Sequence, residues 1–282
     1  MQRSARALLT LAVAAALAGG CGRSRDSSGL QLVATTTMLQ AALADVGGHR
    51  VQVSVLMPPG SCPGHYDARP GDVRRIRGCS ALFTHGYERF VPSLVGAAGT
   101  PAPRVLRVAV GGNWLIPAVY SAACEKVSEM LSQLDPAHRS EYQARLAAAR
   151  SRAARLDAEL RRKATAALPR PVPAISSDQQ APFLKWIGFE VVGTYGRAEE
   201  FTPKQLHSLA KVARSKGVRV VVDNLQSGPN AGRQLAQEVG ASHVTLSSFP
   251  GGFPGTDSWE KCVSRNVDLV LAAATTGAKG KG

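Results

Sequence analysis

"DPAHRSEYQARLAAARSRAARLDAELRRKATAAL", residues 135–168, decides how the rest of the chain divides. After Pro136 the stretch holds neither glycine nor proline, and its alanine, leucine and arginine content strongly favours helix. Asp135 and Pro136 suit an N-cap and a first helical position. At about 1.5 Å per residue, some 30 helical residues span roughly 45 Å, more than one small domain needs. Tyr142, Leu146, Leu156 and Leu160 give only a sparse apolar stripe, with arginines over most of the remainder. That pattern is too weak for a coiled coil. It reads as a rigid spacer between two bodies.

Both flanks alternate strand and helix. Before the spacer, "LQLVATT" and "VQVSVLM" read as strands around the helix "MLQAALADVGG". The helix "DVRRIRGC", strand "SALFTHG", helix "FVPSLVGAAG" and strand "RVLRVAV" follow. After "PRPVP" the alternation resumes with "AISS", "APFLKWIG", "FEVVGTY", "PKQLHSLAKVARSKG", "VRVVVDN", "AGRQLAQEVG" and "HVTLS", and a final helix runs from about Ser258 to Ala274. This is the signature of parallel sheets. The expected fold is α/β: two β/α lobes with parallel sheets, joined by one long linking helix, with a ligand cleft between them. The expected boundaries are an N-terminal lobe over 30–134, the linking helix over 135–168 and a C-terminal lobe over 169–276. A disordered tail is expected over 277–282. Ligands in such sheets sit beyond the carboxyl ends of the strands. That places His65, Asp178 and Asn224 at one cleft.

The chain starts with a basic segment, Arg3 and Arg6, then "ALLTLAVAAALAGG", which is too short and small-residued to span a membrane. Residues 1–20 read as a signal peptide that ends before Cys21, and 21–29 as a tether lipidated on Cys21. The protein is therefore expected to be exported, as a membrane-anchored lipoprotein of the periplasm or cell surface. The formal net charge of +14 becomes +12 when Arg3 and Arg6 leave with the leader. An exported protein meets little nucleic acid, and no basic-aromatic cluster is present, so that partner class is set aside. Cys62, Cys79, Cys124 and Cys262 remain, either as disulfides or as buried thiols, and the absence of a C-x-x-C pair argues against redox chemistry. No P-loop, metalloprotease or nucleophile-elbow motif occurs, so the chain is not read as an enzyme.

Three stretches together resemble the zinc- and manganese-binding receptors of bacterial ABC importers. "PPGSCPGHYDARPGDV" is similar to that family's first metal loop through His65, Tyr66, Asp67, Pro70 and Asp72. "LFTHGYERFVPSL" resembles its strand-loop-helix element. "GTDSWEKCVSRN" resembles its closing element, with Asp257 and Asn266 nine apart. The resemblance implies a monomeric receptor that carries Zn or Mn as transported cargo to an ABC importer permease, with His65 and Asp257 among the metal ligands. Two departures stand out. "GNWLIP" keeps Trp114 and Pro117 but has Gly112 where the family has a histidine, and Ser177 stands at the third ligand place. Asp178 and Asn113 are the substitutes at hand. The alternatives on the same fold are a receptor for a metal chelate or small anionic ligand, and a surface scaffold or adhesin that no longer binds metal. His85 faces the cleft as a weaker candidate; His49, His138, His207 and His243 read as solvated, and Trp114 and Trp186 as packing residues.

Overall fold

The computed structural model describes residues 29–276. The expected leader, Cys21, nearly all of the tether and the tail over 277–282 lie outside the described residues. The N-terminal sheet consists of β1 (Leu30–Ala34), β2 (Val51–Val55), β3 (Ala81–Thr84) and β4 (Val105–Arg107). Around it lie α1 (Thr37–Gly47), α2 (Pro70–Arg77) and α3 (Val91–Ala98). The C-terminal sheet consists of β5 (Pro173–Ser177), β6 (Glu190–Tyr195), β7 (Val220–Asn224) and β8 (Ser242–Leu246), with α6 (Ala181–Trp186), α7 (Pro203–Lys216) and α8 (Arg233–Val239). All pairings are parallel, in the orders β2-β1-β3-β4 and β6-β5-β7-β8. The two lobes thus repeat one topology, and each reverses its strand order between its first and third strands, the place where such sheets open a crevice.

One long helix, α5 (Arg139–Ala167), links the lobes, as expected. α4 (Pro117–Leu134) precedes it, and the two pack along each other. α4 escapes the apolar pattern because its buried face includes Ala123, Cys124, Ser128 and Ser132 beside Tyr120, Val127 and Leu131. Small residues fill a tight helix contact while registering weakly as hydrophobic. The same holds for α5, whose buried stripe is Tyr142, Ala149, Ala153, Leu160 and Ala164. Leu146 and Leu156 are only partly buried beside it. Asp135 does not cap α5. It precedes a single 3₁₀ turn, Pro136–His138, and its carboxylate instead accepts a hydrogen bond from Tyr142 Oη and pairs with His138 Nδ1.

α5 lies against α1 of the first lobe and against α9 (Trp259–Thr276) of the second. One side chain on it holds both: Arg152 Nη2 donates to Asp45 Oδ1 at 2.8 Å and its Nε to Glu260 Oε1 at 3.2 Å. The apolar core is continuous through this layer, running from β1 and β3 through α4 and α5 to α9 and β7. A second, smaller core fills the space between the outer face of the C-terminal sheet and the helices α7 and α8. α7 has a complete set of end signals: Thr202 Oγ1 accepts from Gln205 N, Pro203 occupies the first turn, and Gly217 closes it at a φ of +63°. Lobes joined through a long helix packed on both move less than lobes on a flexible strand hinge.

Candidate functional site: a cavity between the lobes

The carboxyl ends of all eight strands contribute to one cavity of about 600 Å³ between the lobes. From the first lobe come Met38 after β1, Cys62 to Gly64 after β2, His85, Tyr87 and Arg89 after β3, and Val110 to Trp114 after β4. The second lobe supplies Asp178 and Gln179 after β5, Arg197 after β6, Asn224 and Gln226 after β7, and Ser248 and Phe249 after β8. Direct bonds cross the rim. Asn113 Nδ2 donates to Gln179 O at 2.8 Å, Gln226 Nε2 to Pro59 O at 2.7 Å, and Thr37 Oγ1 to Pro250 O at 2.7 Å.

The proline-rich loop after β2 is held at its far end. Tyr66 Oη donates to Leu56 O and to Asp72 Oδ2, and Asp72 also accepts from the Arg69 backbone at the start of α2. Tyr66, Pro70 and Asp72 therefore serve as anchors. The loop turns Cys62, Pro63 and Gly64 to the cavity. His65 is exposed and does not line it; its Nε2 sits 3.3 Å from Glu199 Oε1 and 3.5 Å from Arg197 Nη1, across the mouth. Asp257 also lies outside the cavity, largely exposed and paired with Lys261 at 2.8 Å. The cap of α9 is Ser258, whose Oγ accepts from Lys261 N. Asn266 is fully buried and holds Ser247 through both its amide atoms.

Asp178 and Asn113 do line the cavity. Asp178 takes no part in capping α6, where Gln180 occupies the N-cap position. The amide of Asn113 is already committed, since its Oδ1 accepts from Leu115 N while its Nδ2 crosses to the other lobe. Gly112 has a φ of +95°, a conformation in which a histidine would be strained. Gly112→His is expected to cost about 1–3 kcal/mol of stability without creating a metal site, as urea unfolding and metal titration of the variant would show. Ser177 is buried behind the wall, with no hydrogen-bond partner for its Oγ. Among the described residues, no three of His, Cys, Asp and Glu come together as they would around a metal ion.

The cavity's floor is a buried polar knot. Glu88 accepts from Thr35 Oγ1, from Thr84 Oγ1 at 2.6 Å, and from the backbone N–H groups of His85 and Gly86 at 2.9 and 2.7 Å. Burial opposes its charge, but His85, the two hydroxyls and the backbone donor outweigh burial and hold the carboxyl below its usual range. His85 Nε2 lies 2.9 Å from Thr36 Oγ1, and its ring is stacked on Tyr87 and edge-on to Trp114. Burial, with Glu88 pulling the other way, lowers the His85 pKa to about 4 from an ordinary 6.5. The imidazole is thus neutral at physiological pH. The unfolded chain takes up this proton near pH 6.5 and the folded chain only near 4. The resulting stability, about 3 kcal/mol, is whole above pH 6.5 and drains as the pH falls towards 4. Melting curves between pH 7 and 4 are expected to show this fall in the native chain, and a shallower one in His85→Gln.

Several wall residues were not singled out as candidates. Cys62, Tyr87, Arg89 and Arg197 lie in the loops after strands β2, β3 and β6, so the strand-end rule could have found them. The four cysteines Cys62, Cys79, Cys124 and Cys262 are free thiols. His243 is not solvated; it pairs with the buried Asp223, which also accepts from Tyr195 Oη.

The sequence model of the family described as "Zinc-uptake complex component A periplasmic" (ZnuA) matches residues 32–273. The chain belongs to the ZnuA family. Members of the ZnuA family are periplasmic solute-binding receptors that work with ABC importer permeases. Among its relatives, the iron-binding protein YfeA of Yersinia pestis is 25% identical over 263 residues, or 85% of either chain. The zinc-binding protein TroA of Treponema pallidum (strain Nichols) is 28% identical over 284 residues, covering 89% of this chain and 91% of TroA. The solved structure of TroA superposes with a TM-score of 0.74 at 22% identity, over 87% of this chain and 99% of that one. This places the two-lobe fold and its linking helix within the architecture of ZnuA-type proteins.

Proposed function

We propose that the chain is the extracytoplasmic receptor of an ABC importer, taking up a divalent metal such as zinc or manganese between its lobes and presenting it to the permease. The convergence of all eight strand ends on one interlobe cavity carries this reading. Asp178 and Asn113 are the oxygen donors at hand for such cargo. His65 stands at the mouth beside Arg197 and Glu199, and Asp257 keeps its ion pair with Lys261. The activity is capture and release by a monomer, without bond chemistry. Elemental analysis of the gently purified protein is expected to find close to one equivalent of divalent metal. Metal-free protein whose melting temperature ignores every metal salt and metal complex offered would sink the reading.

Once the leader over residues 1–20 is removed, a lipid on Cys21 would tether the receptor beside its permease. Cys21→Ser is expected to move the chain from the membrane fraction to the soluble one. If the variant still sediments with membranes, the anchor lies elsewhere.

A further inference from the structure

The cavity offers a bare cation few free ligands. Its wall carries the charged side chains Arg89, Arg197 and Asp178 beside the neutral His85, and the Glu88 carboxylate of the floor is already held by four donors. Coulomb repulsion from the two guanidinium groups would raise the cost of placing a naked divalent ion there. The donors that could offset this cost are few or already engaged. Asn224 accepts from Gln180 and Ser248 and donates to Ser227, Gln226 is tied to Pro59, Ser247 and Ser248, and both amide ends of Asn113 are used. Zinc takes four close donors and manganese more, mostly oxygens. No cluster of three ligating side chains stands among the described residues.

The same wall suits an organic anion. Arg89 has no hydrogen-bond or ion-pair partner among the described residues, and the Arg197 guanidinium, lying over Gly64, has only a long contact of 3.5 Å to His65 Nε2. Tyr87 is 56% exposed and, with Val105, is one of two exposed large hydrophobic residues among those described. Its ring stacks on His85 at 5.0 Å, which leaves an aromatic surface on the cavity wall. An aromatic platform in a wall that also carries two cations is of little use to a bare ion. It is the pattern that grips carboxylates on a small carbon frame. The volume of about 600 Å³ is in the range of small-molecule sites and many times that of an ion.

We infer that the cargo is an anionic metal chelate. The metal enters with its coordination shell supplied by a small polycarboxylate-type ligand, whose negative charge is read by Arg89 and Arg197 and whose frame rests on Tyr87. Asp178 and the Cys62 thiol, on opposite lobes, are placed to take up an open position on the metal. This inference rests on the interlobe cavity being the cargo site, as proposed above.

Calorimetry on the full exported chain separates the two ideas. The probes are Zn²⁺ and Mn²⁺ alone, their citrate and nitrilotriacetate complexes, the metal-free chelators, and the cationic Zn²⁺–histidine complex. The expected result is that at least one anionic complex binds about tenfold or more tighter than the bare ion, the free chelator or the histidine complex. Arg89→Gln and Arg197→Gln should each weaken that complex by about tenfold, and Arg89→Lys by less. Raised salt should weaken it too, and melting temperatures of the unliganded variants should stay near the native value. Tight binding of a bare ion with no gain from any anionic complex overturns the inference and leaves the receptor reading standing. Free chelator binding as tightly as its metal complex overturns the role of the metal. No binding of any probe overturns the inference, and if the purified protein is also metal-free the receptor reading falls with it.

Discussion

Glu88→Ala is expected to lower the unfolding free energy by about 3–5 kcal/mol, the largest effect of any polar substitution here. The carboxylate is buried and satisfies four donors at once: two threonine hydroxyls and two backbone N–H groups. Alanine would leave the two hydroxyls and the His85 N–H unmet where they are buried, and each unmet buried donor costs about 1–3 kcal/mol before relaxation. The loss should reach the cavity as well, because Glu88 fixes the turn over residues 85–89 that carries Tyr87 and Arg89. Urea unfolding gives the stability, and calorimetry gives the loss of cargo affinity. Glu199→Ala provides the contrast, since its pair with His65 is exposed on both sides and should matter by about 0.5 kcal/mol or less. A Glu88→Ala loss no larger than that of Glu199→Ala would mean the knot is not the floor of the site.

Trp259→Ala should cost a comparable amount, about 3–5 kcal/mol, by a different route. Its indole is 1% exposed and lies parallel to the Tyr120 ring at 4.1 Å, and its Nε1 donates to Trp114 O at 2.8 Å. Trp259 begins α9 in the second lobe, whereas Tyr120 and Trp114 belong to α4 and the loop before it. The substitution therefore opens a void where the lobes join. Tyr120 Oη donates to Asp45, which Arg152 also holds, so the void adjoins the ion pair that ties α5 to α1. Small-angle scattering should show a larger radius of gyration for Trp259→Ala than for the native protein. Trp259→Phe keeps a stacked ring and loses the hydrogen bond, so about 1–2 kcal/mol and native dimensions are expected. Equal losses for both variants would place the energy in the hydrogen bond and not in the packing.

The strand-helix alternation made the two α/β lobes legible, because β-branched runs such as "VRVVVDN" and glycine-closed helices such as the one ending at Gly217 report local structure through local chemistry. The linking helix was legible, and the helix packed along it was not. α5 declared itself through thirty residues without a breaker. α4 did not, since alanine, serine and cysteine pack a helix pair without looking apolar. The family was legible from residues that turn out to anchor backbone: Tyr66 and Asp72 hold the loop after β2, and Asn266 holds Ser247.

The site itself followed another rule. By itself the sequence determined the lobes and the turns that stiffen the loop around His65. Only the tertiary structure decided that Cys62, Pro63 and Gly64 face the cavity, that His65 meets Arg197 and Glu199 at its mouth, and that Asp257 pairs with Lys261 away from it. The reason is geometric. Local chemistry sets where each loop bends, but which of its faces meets a residue well over a hundred positions away is set by how α4, α5 and α9 dock the two lobes, and no local period encodes that.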